Sequence, residues 1–250
     1  MPNSYFNAIN KRGLLIYDGR ASSDFGMVVT DAPAFNQPTR KGTAYTVPGR
    51  NGVILQQQDA FEDVSATYDV ALNIFDGYDE DINETINAFN AWLLSKKGYL
   101  RLEDSFNPNY YRLAYYNGGA SIENSFMMYG KAKIPFMCRA EKYLKSAETP
   151  VDALNGMIIY NPTAYTAKPL IRIEGAGNGS LTINGKTLDV KGLGDYIIVD
   201  TETMNASREP SENMNNHIEG DFPLLASGSN AIAFTGGIIR VLITPRYYVI

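Results

Sequence analysis

Tyr68-Asp69-Val70-Ala71-Leu72-Asn73-Ile74 decides the fold class. Its even positions are apolar and its odd ones polar or small, the period of two that sends successive side chains to opposite faces of a strand. Working outward, strands are expected over 13–17, 26–30, 99–103, 111–116 and 131–139. The later half adds 170–174, 181–184, 187–190, 196–200, 231–235 and 239–244, and many of these runs are rich in Val, Ile, Tyr and Thr. Asn184-Gly185, set between two such runs, is the strongest hairpin signal, because a type I′ turn needs positive φ at both central residues. Gly175-Ala176-Gly177-Asn178-Gly179 has the glycines of a dinucleotide loop, but strand-like sequence follows it instead of a helix. It therefore reads as a turn joining two strands.

One segment has the other period. Ile82, Ile86, Phe89, Trp92 and Leu93 recur every three or four residues, which predicts a helix over 82–96 with Trp92 on its buried face. Asp81 can cap its first turn with Glu84 as reciprocal partner, Lys96 and Lys97 suit its C-terminal dipole, and Gly98 can take the left-handed cap. Periodicity fades between Glu141 and Gly156, so two domains are expected, 1–140 and 141–250.

The composition excludes several classes of function. With 250 residues, 44% of them hydrophobic, the chain can bury a core without disulfides or a structural metal and lies far from the composition of disordered chains. Its net charge is −5, split −2 and −3 between the two expected domains, so neither half offers a basic nucleic-acid surface. Apolar runs fall well short of the ~20 residues of a membrane-spanning helix, and Met1-Pro2-Asn3-Ser4-Tyr5 lacks the features of a secretory signal. Synthesis in a cytoplasm without membrane insertion is the expectation.

Candidate chemistry is sparse. The single cysteine, Cys138, sits among Ile134, Pro135, Phe136 and Met137 and reads as a buried small hydrophobe. The single histidine, His217, lies in a polar loop-like stretch without the flanks of a catalytic relay, and one His with one Cys cannot assemble a zinc site of the usual ligands. The acidic run from Asp76 to Asp81 lacks the spacing of a calcium loop and suits the start of the helix. Glu103-Asp104 are strand neighbours pointing to opposite sides, so they do not face each other as a glycosidase pair must. No catalytic, cofactor-binding or metal-ligating residue is assigned. Seventeen tyrosines suggest interfaces or sugar stacking.

An ordered set of motifs resembles one family. Tyr17-Asp18-Gly19-Arg20, Asp24-Phe25-Gly26, Val47-Pro48-Gly49-Arg50-Asn51-Gly52 and Leu102-Glu103-Asp104-Ser105 are followed by Pro108, Tyr110-Tyr111-Arg112 and Phe136-Met137-Cys138. Asn161-Pro162, the run from Pro169 to Gly175, and Asp221-Phe222-Pro223-Leu224 leading to Gly228 and Asn230 complete it. Together they resemble the distal tail protein (Dit) of long, non-contractile-tailed phages over essentially the whole chain. Arg139-Ala140-Glu141 departs from the more proline- and aromatic-bearing exit of the first domain in that family.

The resemblance implies a mainly β chain of two β-sandwich domains, the first with one α-helix and a long hairpin arm, the second galectin-like. It implies a non-enzymatic structural protein of the virion tail tip, a homohexameric ring between the major tail tube protein and the tail-associated lysin or tail-tip hub. The ring would hold receptor-binding or other host-adsorption proteins and let DNA pass through its lumen. Within 36–60, Gln37 to Gly52 is polar and turn-rich, so Arg40, Lys41, Arg50 and Asn51 are the candidate ring-interface residues. The alternative is a carbohydrate-binding module for host-surface glycans, with Tyr160, Tyr165, Tyr247 and Tyr248 as candidate platforms, and a glycosidase using Glu103 or Asp104 is the remote one.

Overall fold

The computed structural model describes residues 13–72, 82–118, 131–209 and 212–250. The chain divides into two compact units, one of residues 1–142 with Ile250 and one of residues 143–249. It is mainly β.

The first unit contains β1 (Leu15–Tyr17), β2 (Arg20–Ala21), β3 (Met27–Val29), β4 (Ala34–Phe35), β5 (Arg40–Thr46), β6 (Val53–Phe61) and β7 (Val64–Leu72). Helix α1 (Ile82–Leu93) follows, then β8 (Leu100–Asp104), β9 (Tyr110–Tyr116) and β10 (Lys131–Leu144), which carries the chain out of the unit. The sheet order is β2-β1-β8-β9-β10-β7-β3, with β4 also on β7, while β5 and β6 form a separate two-stranded ribbon. The alternation in β7 is as expected: Val64, Ala66, Tyr68 and Val70 are buried, whereas Ser65 and Thr67 are exposed. Asn73, Ile74, the acidic run from Asp76 to Asp81 and the proposed Asp81 cap lie outside the described residues.

Tyr17-Asp18-Gly19-Arg20 is a two-residue hairpin, with φ of 50° at Asp18 and 77° at Gly19, that pairs Tyr17 with Arg20. α1 lays Ile86, Phe89, Trp92 and Leu93 on the sheet face made by Leu15, Tyr17, Tyr68, Ile134 and Phe136, all of them buried. The Trp92 indole N–H donates to the Tyr17 carbonyl at 3.0 Å, and its ring stacks on Phe25 at 4.9 Å. This satisfies the one polar atom of the indole while its apolar area is buried. The helix ends at Leu93, earlier than expected, because the Ser95 amide and hydroxyl both donate to the Trp92 carbonyl and close the last turn. Lys96 then pairs with Asp18 at 2.6 Å. Cys138 is fully buried, and burial pushes its thiol up to about 12, which leaves it unreactive at neutral pH.

The second unit contains β11 (Val151–Ala153), β12 (Ile158–Asn161), β13 (Leu170–Ile183), β14 (Lys186–Leu193), β15 (Tyr196–Asp200), β16 (Asn205–Arg208), β17 (Glu212–Asn213), β18 (Ile218–Gly220) and β19 (Gly228–Thr244). Two long antiparallel strands, β13 and β19, organise it. The first half of β13 pairs with β15 and the second half with β14, while β19 carries β11 at one end and β12 at the other. The two halves share one core, with Ile171, Ile173, Val199 and Val241 from one half and Leu181, Ile183, Leu188 and Ile232 from the other. The Asn184-Gly185 hairpin forms as expected, with φ of 52° and 79° and Ile183 opposite Lys186.

One expectation about this unit is corrected. Gly175 to Gly179 is not a turn: it lies inside the continuous β13, where the register against β19 jumps from Gly175↔Ile238 to Gly179↔Gly236. Three residues of β13 then oppose Gly237 alone, a bulge that bends both strands. Across the Glu141 to Gly156 stretch, where the periodicity fades, the chain completes β10, forms a 3₁₀ turn over Lys145–Glu148 and enters β11, with Ala147 and Ala153 in the second core.

An acid-sensitive clamp closes the unit. Arg246 meets both Asp200 oxygens, at 2.8 and 3.3 Å. Burial alone would raise the Asp200 carboxyl, but hydrogen bonds and charge from Arg246, with the Glu202 and Thr203 amides, hold it below its ordinary value. A depressed folded-state value stabilises above the unfolded carboxylate pKa of about 3.9 and is lost as pH falls through the lower folded value. Below about pH 4, wild-type stability is therefore expected to fall more steeply than that of Asp200→Asn in denaturant melts across a pH series.

Candidate functional site

The feature that no packing requirement of either core explains is the ribbon of β5 and β6. Its turn is built locally: Pro48 presets the first central position and Gly49, at φ 81°, the second, so the Arg50 amide donates to the Val47 carbonyl at 3.2 Å. Its root is pinned by Arg40 to Asp59 at 3.2 Å, Arg40 over the Phe61 ring at 4.8 Å, and Lys41 to Glu62 at 4.0 Å. Each such exposed pair contributes at most about 1 kcal/mol, enough to orient the root but not to hold the whole ribbon.

Beyond the root every residue from Gly42 to Gln58 is exposed, and the one charged residue among them is Arg50. Cross-strand partners share a face. Tyr45 and Ile54 pair on one face with Thr43 and Gln56, while Ala44 with Leu55 and Thr46 with Val53 pair on the other. Both faces are thus apolar towards the tip, with Tyr45 51% and Leu55 61% exposed. A lone two-stranded hairpin is marginal in water, and unguarded strand edges invite pairing. Depletion of charge with aromatic and aliphatic groups left bare is the composition of an interface core.

The four sequence candidates divide by position. Arg40 and Lys41 lie at the root, engaged within the hairpin, whereas Arg50 and Asn51 stand at the exposed tip, where Arg50 has no ion pair among the described residues. The sequence reading missed Tyr45, Val53, Ile54 and Leu55. Their alternation across a Pro-Gly turn could have flagged them, but polar Thr and Gln neighbours masked the pattern.

The other candidates serve structure. Asp104 accepts the Tyr68 hydroxyl at 2.9 Å and the Phe106 and Asn107 amides at 2.9 and 2.8 Å, and Glu103 pairs with Arg101. His Nδ1 of His217 donates to the Lys191 carbonyl at 2.8 Å. Among the described residues no group of three or more His, Cys, Asp or Glu lies together as a metal site would require. Of the four candidate sugar platforms, Tyr247 is buried, Tyr165 stacks on Tyr248 at 5.4 Å, and Tyr160, 67% exposed, stands open on the outer face of β12.

No family model matches the chain, and no curated protein matches it. Among solved structures the fold is that of the Dit protein of phage SPP1, described as a paradigm of the hub adsorption apparatus in phages that infect Gram-positive bacteria. The TM-score is 0.72 at 16% identity, covering 95% of this chain and 99% of that one.

Proposed function

We propose that this chain is a structural hub protein of a phage tail tip, a distal tail protein that closes into a hexameric ring through the β5–β6 arm. The observation that carries the proposal is the arm itself, exposed on both apolar faces, in a chain whose fold matches SPP1 Dit over nearly its full length. Charge fits a second copy as the arm's partner. Asp59 and Glu62 balance Arg40 and Lys41 at the root, so Arg50 gives the arm +1, which leaves −6 of the net −5 on the rest of the chain. In a closed ring each subunit meets its neighbours through two different surfaces, so the arm is the donor side of a heterologous contact.

The ring joins the tail tube to the tail-associated lysin or tail-tip hub, carries host-adsorption proteins and leaves a lumen for DNA. Six copies at −5 carry −30, and a lumen poor in Lys and Arg keeps passing phosphates from sticking. The role is non-enzymatic, in the virion tail after synthesis in the bacterial cytoplasm, and the second unit is a galectin-like sandwich.

Solution mass tests this reading: light scattering or native mass spectrometry should find six copies of 27.6 kDa or paired rings, and a monomer at all concentrations would reject it. Arg50→Glu reverses the charge at the tip and should shift the assembly towards monomer at low ionic strength; an unchanged assembly would remove Arg50 from the interface. Tyr160, with Ile158 exposed beside it on β12, favours a second role in contacting host glycans. A glycan array with the full chain and its Tyr160→Ala variant would show signal lost with the ring, or no signal at all if this second role is absent.

A further inference from the structure

A small cavity of about 40 Å³ lies in the first unit against the β8–β9 loop, lined by Phe35, Tyr68, Asp104, Asn107, Tyr110, Arg112 and Lys142 among others. One water needs roughly 10–15 Å³ of such room, so the space suits about three waters or a group of three or four heavy atoms. Two cations border it, and neither has a carboxylate partner within ion-pair distance among the described residues. Arg112 donates from one Nη to the Arg139 and Ala140 carbonyls at 3.2 and 3.0 Å and lies over the Phe35 ring at 4.6 Å, with its Nε buried and unpartnered. Lys142 lies over the Tyr110 ring at 4.6 Å.

One carboxylate also lines the cavity, but it is already occupied. Asp104 takes the Tyr68 hydroxyl, two loop amides and the Asn107 side chain, at 2.8 to 3.4 Å. Among the lining residues Arg112 and Lys142 against Asp104 leave one positive charge, which a monovalent anion neutralises and a dianion overcompensates, while Glu141 acts on Arg112 from outside the lining. Burial first, and the Arg112 charge second, lower the Lys142 ammonium, while the Asp104 charge acts the other way.

We propose that this cavity is an anion subsite that takes a single carboxylate, held by Lys142 and Arg112. The carboxylate comes either from a free small acid or from an acidic side chain of a docking protein. The inference does not depend on the ring.

Reductive methylation with peptide mapping by mass spectrometry tests it on the intact protein in whatever assembly it forms. Acetate should slow Lys142 methylation several-fold relative to chloride at equal ionic strength, while exposed Lys186 reacts equally in both. Arg112→Met should abolish that protection; should it fail to fold, Asn107→Ala, which keeps both cations, is expected to weaken the protection. Equal Lys142 rates in acetate and chloride for the wild type would overturn the proposal, as would protection that survives Arg112→Met. A short peptide with one Glu, compared with its Gln counterpart, separates the sources: stronger protection than acetate at equal concentration assigns a protein side chain, weaker protection a free acid.

Discussion

Replacing Ile54 and Leu55 together by aspartate is expected to dissolve the proposed ring into monomers without unfolding either unit. The two residues lie on opposite faces of the arm and touch neither core, so the melting temperature of the isolated chain should move little. Burying an aliphatic side chain at an interface contributes about 1.5–3 kcal/mol, and an aspartate there adds the cost of desolvating an unpaired charge. Two lost anchors per contact weaken it by at least about 3 kcal/mol, a factor of 10² or more, repeated at every contact around a ring. Light scattering over a concentration series reads the result. The single variants refine it: if both faces are gripped, each alone weakens assembly, whereas one silent variant means that its face stays in solvent. A double variant that assembles like the wild type would rule out the arm as the subunit contact.

Gly237→Ala is expected to cost about 3 kcal/mol or more in the second unit, at the upper end of overpacking penalties. A Cβ on Gly237 would lie 1.7 Å from the Ala176 carbonyl oxygen, backbone that no rotamer change can move aside. The same crossing holds Gly175, whose Cβ would meet the Gly237 carbonyl at 2.0 Å, and Gly236 at φ 71°. Relief would require opening the bulge where both long strands bend. Gly194→Ala is the control, because its Cβ would meet only the Arg208 guanidinium, at 3.5 Å. Denaturant melts should show a large loss for Gly237→Ala and almost none for Gly194→Ala. Equal stabilities would mean that the strands do not cross this closely.

How much was legible follows from how local each feature is. The period-two run at Tyr68, the helical stripe through Ile86, Phe89 and Trp92, and the Asn184-Gly185 turn depend on residues within one or two turns of chain. Each has its expected form among the described residues. The Gly175–Gly179 stretch misled because a run of glycines looks alike in a turn and in a bulge. Only the partner strand settles which it is, and the opposing residues, Gly236 to Ile238 of β19, lie more than fifty residues away in sequence. Of the arm, the turn and the basic residues were readable, but the bare apolar pairs were not. Tyr45 and Ile54 become notable only once nothing is found to cover them.

The pattern of side chains along the chain determined the β class, the core helix through Ile86, Phe89 and Trp92, the tight turns and the burial of Trp92 and Cys138. All of these follow from periodicity and backbone stereochemistry acting over a few residues. Tertiary structure decided the rest: that β13 and β19 run unbroken past a glycine bulge, that Arg112 and Lys142 flank a cavity, and that the arm leaves both cores with two apolar faces exposed. Those outcomes depend on which distant residues meet, or on none meeting at all, and burial of apolar surface acts on the assembled chain, where local sequence does not specify the partner.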